Sequence, residues 1–144
     1  MIKGFATSEG TDKFAENHID VPKQNYRKIQ NLTLSNVGIG TYLGNTDSET
    51  DLLMKNAVKE SILQGVNVID TAINYRAQKS ERTVGKAISE LVEEGKINRN
   101  EIFISTKNGY VTNDADIQED FMDWQHGNVS EFLKITQTFY RLPK

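Results

Sequence analysis

The sequence contains no cysteine and only two histidines among its 144 residues. Without cysteine there are no disulfides and no thiolate metal sites, and a reducing compartment is permitted. The histidines, His18 and His126, lie in separate polar contexts. We therefore predict that both are exposed and that transition-metal chemistry plays no part.

Long apolar runs and dense basic blocks are missing as well. No stretch approaches the roughly 20 apolar residues that a membrane span needs, and the first residues lack the longer apolar run of a secretory signal. The net charge is −3, which argues against nucleic acid as the main partner because phosphate neutralisation needs a basic face. These absences predict a cytoplasmic protein with no membrane or nucleic-acid partner.

What is present is the composition of a globular domain, with 37% hydrophobic and 26% charged residues. The pattern divides the chain into three parts. Residues 1–25 are polar and irregular, which predicts an N-terminal extension that lies over the domain or is disordered. Residues 26–111 carry regular periodicity, and residues 112–144 read as an acidic loop followed by a terminal helix.

Short alternating runs follow residue 25. Residues 26–29 and 32–34 flank Gln30-Asn31, which predicts a hairpin. Residues 37–42 read as a first buried strand, and two further strands are predicted at residues 66–69 and 101–107.

Two amphipathic helices separate these strands. Thr46 and Glu49 have capping-box spacing for the first helix, and Ser80 is predicted to cap the second. Gly65 and Gly95 supply the stops. The apolar stripes at helical spacing comprise Met54, Ala57, Val58, Ser61 and Ile62 in the first helix and Val84, Ala87, Ile88, Leu91 and Val92 in the second.

Strands that alternate with helices predict an α/β fold with a parallel sheet. A spacing of about 32 to 35 residues per unit suits right-handed crossovers. Periodicity leaves two architectures open, a doubly wound open sheet or a (β/α) barrel. Residues 38–44, G-I-G-T-Y-L-G, approach the dinucleotide fingerprint G-x-G-x-x-G, but the last gap holds three residues instead of two, so this interpretation is disfavoured.

Chemistry-bearing residues follow the predicted strands, where parallel α/β folds gather their functional groups. Asp70 ends the second strand, Tyr75 comes just beyond it, and Lys107 ends the third. Neighbouring strands lie about 4.8 Å apart, so we expect the Asp70 and Lys107 side chains to meet. An ammonium near a phenol favours the phenolate, and such a phenol can protonate a carbonyl oxygen while a cofactor delivers a hydride.

At these residues the sequence resembles the aldo-keto reductases. Residues 70–75 match the family's D-T-A-x-x-Y segment, and residues 80–85 match its S-E and V-G pairs. Thr106-Lys107 is similar to the T-K pair that ends the family's next strand. The resemblance covers residues 26–111 and implies the N-terminal part of a (β/α)8 TIM barrel, with a hairpin and about three βα units.

The resemblance also implies an activity, the NADPH-dependent reduction of an aldehyde or ketone to an alcohol. Tyr75 would be the proton donor, Lys107 its activator and Asp70 the orienting carboxylate. The residues implied near the nicotinamide end of the NADP cofactor are Gly40, Thr41, Tyr42 and Asp70.

Two features depart from the family pattern. Residues 76–79 form a longer link than the glycine-containing one of many members, which together with residues 4–11, G-F-A-T-S-E-G-T, points to a bacterial branch. The family's catalytic histidine has no counterpart, since His126 lacks the preceding apolar strand, and the loops that hold the adenosine phosphate are not found. We therefore expect the isolated chain to be inactive and to pair with a C-terminal part or another chain.

A second hypothesis stays open beside the reductase. On the same scaffold, the chain would be a non-catalytic binding module or an inactive fragment. The missing histidine and phosphate-binding loops motivate it.

Overall fold

The computed structural model describes residues 3–107, 112 and 114–116. The chain forms two compact units, residues 1–113 and 114–144, and all helices and strands given below belong to the first. In the second unit, the Asp116 amide donates to the Asp114 carboxylate at 3.0 Å. The predicted terminal helix and His126 lie outside the described residues.

The N-terminal stretch contains a helix, α1 (Ser8–Asn17). The prediction of irregular structure for residues 1–25 was therefore wrong at this segment. Thr7 caps the helix, because its hydroxyl accepts a hydrogen bond from the Gly10 amide at 3.0 Å. Phe14 is its buried apolar contact with the core. One large apolar residue in a polar helix leaves little periodicity to detect, which explains the error.

Helix α1 packs against the 3₁₀ turn Arg99–Glu101. The Thr7 amide donates to the Asn100 carbonyl oxygen at 3.0 Å. A Cβ atom at Gly10 would lie only 2.3 Å from that same oxygen. The close approach of the two backbones therefore requires glycine at position 10.

The predicted hairpin is confirmed. A 3₁₀ turn (Lys23–Asn25) leads into β1 (Tyr26–Ile29), which pairs antiparallel with β2 (Leu32–Ser35). Gln30 and Asn31 both have positive φ, 49° and 69°. Positive φ at both central residues is typical of the type I′ turn, whose twist matches that of the flanking strands.

A parallel sheet in the order β3-β4-β5 follows, which confirms the α/β class. Its strands are β3 (Ile39–Gly40), β4 (Val68–Asp70) and β5 (Phe103–Ser105). They are connected by α2 (Ser48–Leu63) and α3 (Lys79–Glu93). In the register, Gly40 lies opposite Asp70 and Asp70 lies opposite Ser105. The carboxyl ends of the three strands are therefore level.

The strands are shorter than the sequence predicted. Val37 is 67% exposed and lies outside β3. Glu101 belongs to the 3₁₀ turn, where its carboxylate accepts from the Asn98 amide at 3.1 Å. Local hydrogen bonding of this kind competes with the β ladder and delays the start of β5.

The predicted helix stops are confirmed, but both predicted caps were wrong. Gly65 and Gly95 have φ of 92° and 67°. Asp47, not Thr46, caps α2, since its carboxylate accepts from the Thr50 amide at 2.7 Å. Ser80 lies inside α3 rather than before it.

The core lies between the two long helices and the sheet. Most of the α3 stripe is buried as predicted, whereas in α2 only Val58 and Ile62 are fully buried and Ala57 is exposed. Among the described residues, no helix has the length and apolar character needed to cross a membrane.

Asn67 joins the hairpin to the parallel sheet. Its side chain is fully buried, with 0% exposure. The side-chain oxygen accepts from the Ser35 amide at 2.8 Å, and the side-chain nitrogen donates to the Thr33 carbonyl at 2.9 Å and to the Glu101 carbonyl at 3.5 Å. One buried amide thus satisfies three backbone groups, two in β2 and one in the 3₁₀ turn before β5.

Candidate active site

Asp70 and Lys107 meet at the carboxyl edge of the sheet. The Lys107 ammonium donates to both oxygens of the Asp70 carboxylate, at 2.8 and 2.6 Å. A third hydrogen bond, at 3.1 Å, runs from the ammonium to the Thr71 carbonyl oxygen. The level register of β4 and β5 produces this contact, because Lys107 comes two residues after the strand position opposite Asp70.

Tyr75 lies beside the same ammonium. The Lys107 nitrogen is 4.7 Å from the centroid of the Tyr75 ring, within the range of a cation–π interaction. Tyr75 is placed by a turn after β4, in which its amide donates to the Ala72 carbonyl at 3.1 Å. The structure therefore brings together the three residues that the sequence selected as catalytic candidates.

The Asp70–Lys107 pair is partly open to solvent. The two side chains are 44% and 49% exposed, and pairs this exposed contribute little to stability. The pKa of Lys107 is nevertheless raised above its ordinary value, first by the hydrogen bond to Asp70 and next by the hydrogen bond to Tyr75. The ammonium form is thereby favoured beside the phenol.

We expect Asp70→Asn to lower the pKa of Lys107. The amide removes the carboxylate that is the largest cause of the rise, so the charged form of the lysine loses its main partner. The measurement is an NMR titration of the Lys107 ε-methylene resonances in both proteins. Lys59 is the internal control, since its raised pKa depends on Glu94 and Glu90 and is expected to stay constant. An unchanged Lys107 titration would contradict the assignment of the cause.

The end of β3 is joined to β4 and α3 by a chain of hydrogen bonds. The Thr41 hydroxyl donates to the Asp70 carbonyl at 3.1 Å, and the Ser80 hydroxyl donates to the Thr41 carbonyl at 2.6 Å. Both side chains are fully buried. Ser80, predicted as a helix cap, instead connects α3 to the strand end next to Asp70.

Tyr42 brings a second ring to the site. Its ring centroid lies 4.9 Å from that of Tyr75, with an angle of 67° between the planes, the edge-to-face geometry that aromatic pairs favour. Tyr42 is 64% exposed. Gly40, two residues earlier, borders open space, since a Cβ there would meet no atom within 4 Å.

The link after Tyr75 contains a buried arginine that the sequence did not reveal. The Arg76 side chain is 1% exposed and its Nη2 donates to Asp51 Oδ1 at 2.6 Å. Burial favours the neutral form of Asp51, but hydrogen bonds from Lys79 and Arg76 outweigh it and lower the pKa of Asp51. Arg76 Nη1 has no hydrogen-bond partner among the described residues.

The backbone of this link is strained. Arg76, Ala77 and Gln78 have positive φ of 50°, 49° and 74°. Non-glycine residues in the left-handed region cost about 1 to 2 kcal/mol each, and such conformations persist where surrounding contacts hold them. The signal in the sequence is the absence of glycine from this link, a departure from the family pattern that points to a bacterial branch.

Two other polar residues, His18 and Thr106, form hydrogen bonds outside the cluster of Asp70, Tyr75 and Lys107. His18 ends α1 and is half-buried, not exposed as predicted, with its ring nitrogen 2.8 Å from the Phe14 carbonyl oxygen. The Thr106 hydroxyl donates to the Glu81 carboxylate, which ties the segment before Lys107 to α3. No group of three His, Asp or Glu side chains in the described part of the chain is arranged to hold a metal ion.

The model of the Aldo/keto reductase family matches residues 36–140. The match contains the three strands of the parallel sheet and both connecting helices. It also continues beyond residue 111, the last residue covered by the resemblance in the sequence.

Proposed function

Because this chain belongs to the aldo/keto reductase family, an oxidoreductase family that uses NAD(P)H, we propose that the site reduces the carbonyl of a small aldehyde or ketone with NADPH. The family fold makes β3, β4 and β5 the first strands of a (β/α)8 barrel, whose sites lie at the carboxyl ends of the strands. One observation carries the proposal. The Lys107 ammonium touches the Asp70 carboxylate and the Tyr75 ring at that end.

Tyr75 is proposed as the proton donor. Its phenol gives a proton to the carbonyl oxygen of the substrate as the carbonyl carbon is reduced, and general acid catalysis of this kind is typically worth about 10² to 10⁴ in rate. Lys107 is proposed as the activator of Tyr75, because its ammonium lies 4.7 Å from the ring centroid and can stabilise negative charge that develops on the phenol oxygen in the transition state. Asp70 holds Lys107 charged and oriented through its two short hydrogen bonds.

The strand ends offer surfaces suited to the nicotinamide end of the cofactor. The open space at Gly40, the exposed ring of Tyr42 and the half-exposed carboxylate of Asp70 border the same edge. Thr41 is proposed to support this surface rather than to form it, since its buried hydroxyl donates a hydrogen bond to the Asp70 carbonyl. When bound there, the cofactor supplies the hydride.

Part of the proposal rests on the family alone. The preference for NADPH over NADH follows from the resemblance, and the cytoplasmic location stays a prediction of the sequence. The family pattern implies a catalytic histidine, a role that the sequence does not assign to His126, which lies outside the described residues.

The test is hydride transfer from deuterium-labelled NADPH to a panel of small aldehydes and ketones, using the full-length protein. We expect deuterium at the carbinol carbon of the alcohol and loss of nicotinamide absorbance in equal amounts. A parallel series with NADH measures the cofactor preference. Tight NADPH binding without transfer to any carbonyl would support the binding-module hypothesis instead.

A further inference from the structure

We propose that Arg76 and Asp51 act as a positioning pair, which fixes the rings of Tyr75 and Tyr42 at the site. The inference deepens the proposed function and rests on it for the catalytic meaning of Tyr75. The pair itself touches no reacting atom. Its effect is exerted through the backbone that follows Tyr75 and through the loop between β3 and α2.

The contacts of Arg76 are made almost entirely to that loop and to the start of α2. Its Nε donates to the Asn45 carbonyl at 2.7 Å, and its Nη2 donates to Asp51 Oδ1 at 2.6 Å and to the Asp47 carbonyl at 3.5 Å. A planar guanidinium reaches several acceptors at once, which an ammonium does not. Arg76 therefore fixes the loop at more than one point.

These contacts form a closed circuit that includes Tyr42 and Tyr75. Tyr75 precedes Arg76 in the chain, and Arg76 holds Asn45 by a hydrogen bond. The loop that contains Asn45 also contains Tyr42. Tyr42 then packs edge-to-face on Tyr75 with 4.9 Å between the ring centroids. A shift of the guanidinium thus moves both rings.

The strained backbone makes this dependence stronger. Arg76, Ala77 and Gln78 all have positive φ and none is glycine, so the conformation persists only because contacts over-determine it. Arg76 is the one buried residue of the three. Without its side-chain contacts, the link is free to relax toward ordinary dihedral angles, and the phenol moves with it.

A purely stabilising role explains the pair less well. Buried ion pairs often stabilise no more than apolar residues of similar size, and one buried N–H group of Arg76 has no partner among the described residues. The salt bridges from Lys59 to Glu90 and Glu94 already join α2 to α3. The Arg76–Asp51 pair differs from these salt bridges in that Arg76 directly follows Tyr75 in the chain.

The experiment compares Arg76→Gln, Arg76→Lys and Asp51→Asn in the full-length protein, with NADPH and the best carbonyl substrate. For Arg76→Gln we expect kcat per folded molecule to fall about 10- to 100-fold, since small misplacements of a catalytic group cost that much. The KM for the carbonyl and the Kd for NADPH are expected to change little. Arg76→Lys should fall between the wild type and Arg76→Gln. The double variant Arg76→Gln/Asp51→Asn should lose clearly less activation free energy than the sum of the two single losses, because the two residues act through one contact.

A structural measurement accompanies the kinetics. The NOE between the rings of Tyr42 and Tyr75 is expected to weaken in Arg76→Gln. It is expected to persist in the control Lys59→Met, which breaks the salt bridges from α2 to Glu90 and Glu94. If Arg76→Gln fails to fold, Arg76→Lys and Asp51→Asn provide the test. Unchanged kcat per folded molecule together with an unchanged NOE would overturn the proposal.

The two proposals fail in different ways. Failure of hydride transfer to every carbonyl removes the proposed function, and retained turnover in Tyr75→Phe removes only the acid role of Tyr75. In both cases the ring NOE still decides whether Arg76 positions the rings. Loss of turnover in Tyr75→Phe with no effect of Arg76→Gln removes the positioning pair alone.

Discussion

Tyr75→Phe is expected to lower kcat by about 10²- to 10⁴-fold, the range that general acid catalysis contributes. The phenyl ring keeps the contact with Tyr42 and with the Lys107 ammonium, but it has no proton to give to the carbonyl oxygen. NADPH binding is expected to stay nearly intact, because only the hydroxyl group is lost. Steady-state kinetics and a fluorescence titration with NADPH measure the two effects.

Tyr26→Phe is the matched control. The Tyr26 hydroxyl donates to the Gly65 carbonyl at 2.8 Å, in the hairpin rather than at the carboxyl edge of the sheet. Its loss is expected to cost about 1 kcal/mol of stability and to leave kcat unchanged. Turnover in Tyr75→Phe close to that of the wild type would remove Tyr75 from the acid role.

Asn67→Leu is expected to destabilise the fold by about 3 kcal/mol or more, since each buried polar group left without a partner costs about 1 to 3 kcal/mol. The leucine would leave the Ser35 amide, the Thr33 carbonyl and the Glu101 carbonyl without the partner they have now. The hairpin should separate from the sheet first, because Asn67 connects them. Urea denaturation gives the free energy, and amide exchange of residues 26–35 shows where the loss occurs.

Asn36→Leu is the control for this change. Asn36 is exposed, and its side chain makes one hydrogen bond, to the Gln24 carbonyl at 2.7 Å. Exposed substitutions usually change stability by about 0.5 kcal/mol or less. Equal losses in both variants would show that burial of Asn67 is not the cause.

The local signals in the sequence predicted the hairpin and the two long helices well. Gln30-Asn31 suits a turn with two positive φ angles, and this turn fixes the register of β1 on β2. The stripe of α3 is regular enough to identify its buried face. Both signals depend on neighbours in sequence, which pattern reasoning reads directly.

The missed features depend on contacts distant in sequence. Ser80 looked like a helix cap, but its hydroxyl bonds to Thr41, 39 residues earlier. The burial of Arg76 depends on Asp51, 25 residues away. Helix α1 was missed because its main contacts lie with β2 and the 3₁₀ turn before β5. No local pattern encodes such pairs.

For the site, the sequence predicted which residues meet but not how they are supported. Asp70 and Lys107 follow from strand order and spacing, and the structure brings them within 2.8 Å. The roles assigned to Tyr75, Lys107 and Asp70 stay predictions until turnover is measured. The edge-to-face contact of Tyr42 with Tyr75 joins two loops that are distant in sequence, so no local pattern predicts it.

The pairing of Thr7 with Asn100 has a consequence for the order of events during synthesis. These residues are 93 positions apart, and ribosomes add about 5 to 20 residues per second. The segment that contains α1 is therefore synthesised on the order of 5 to 20 s before the 3₁₀ turn against which it packs. A helix of 10 residues is marginal by itself in water. The first helix in the chain is thus expected to be one of the last to become stable in the nascent protein.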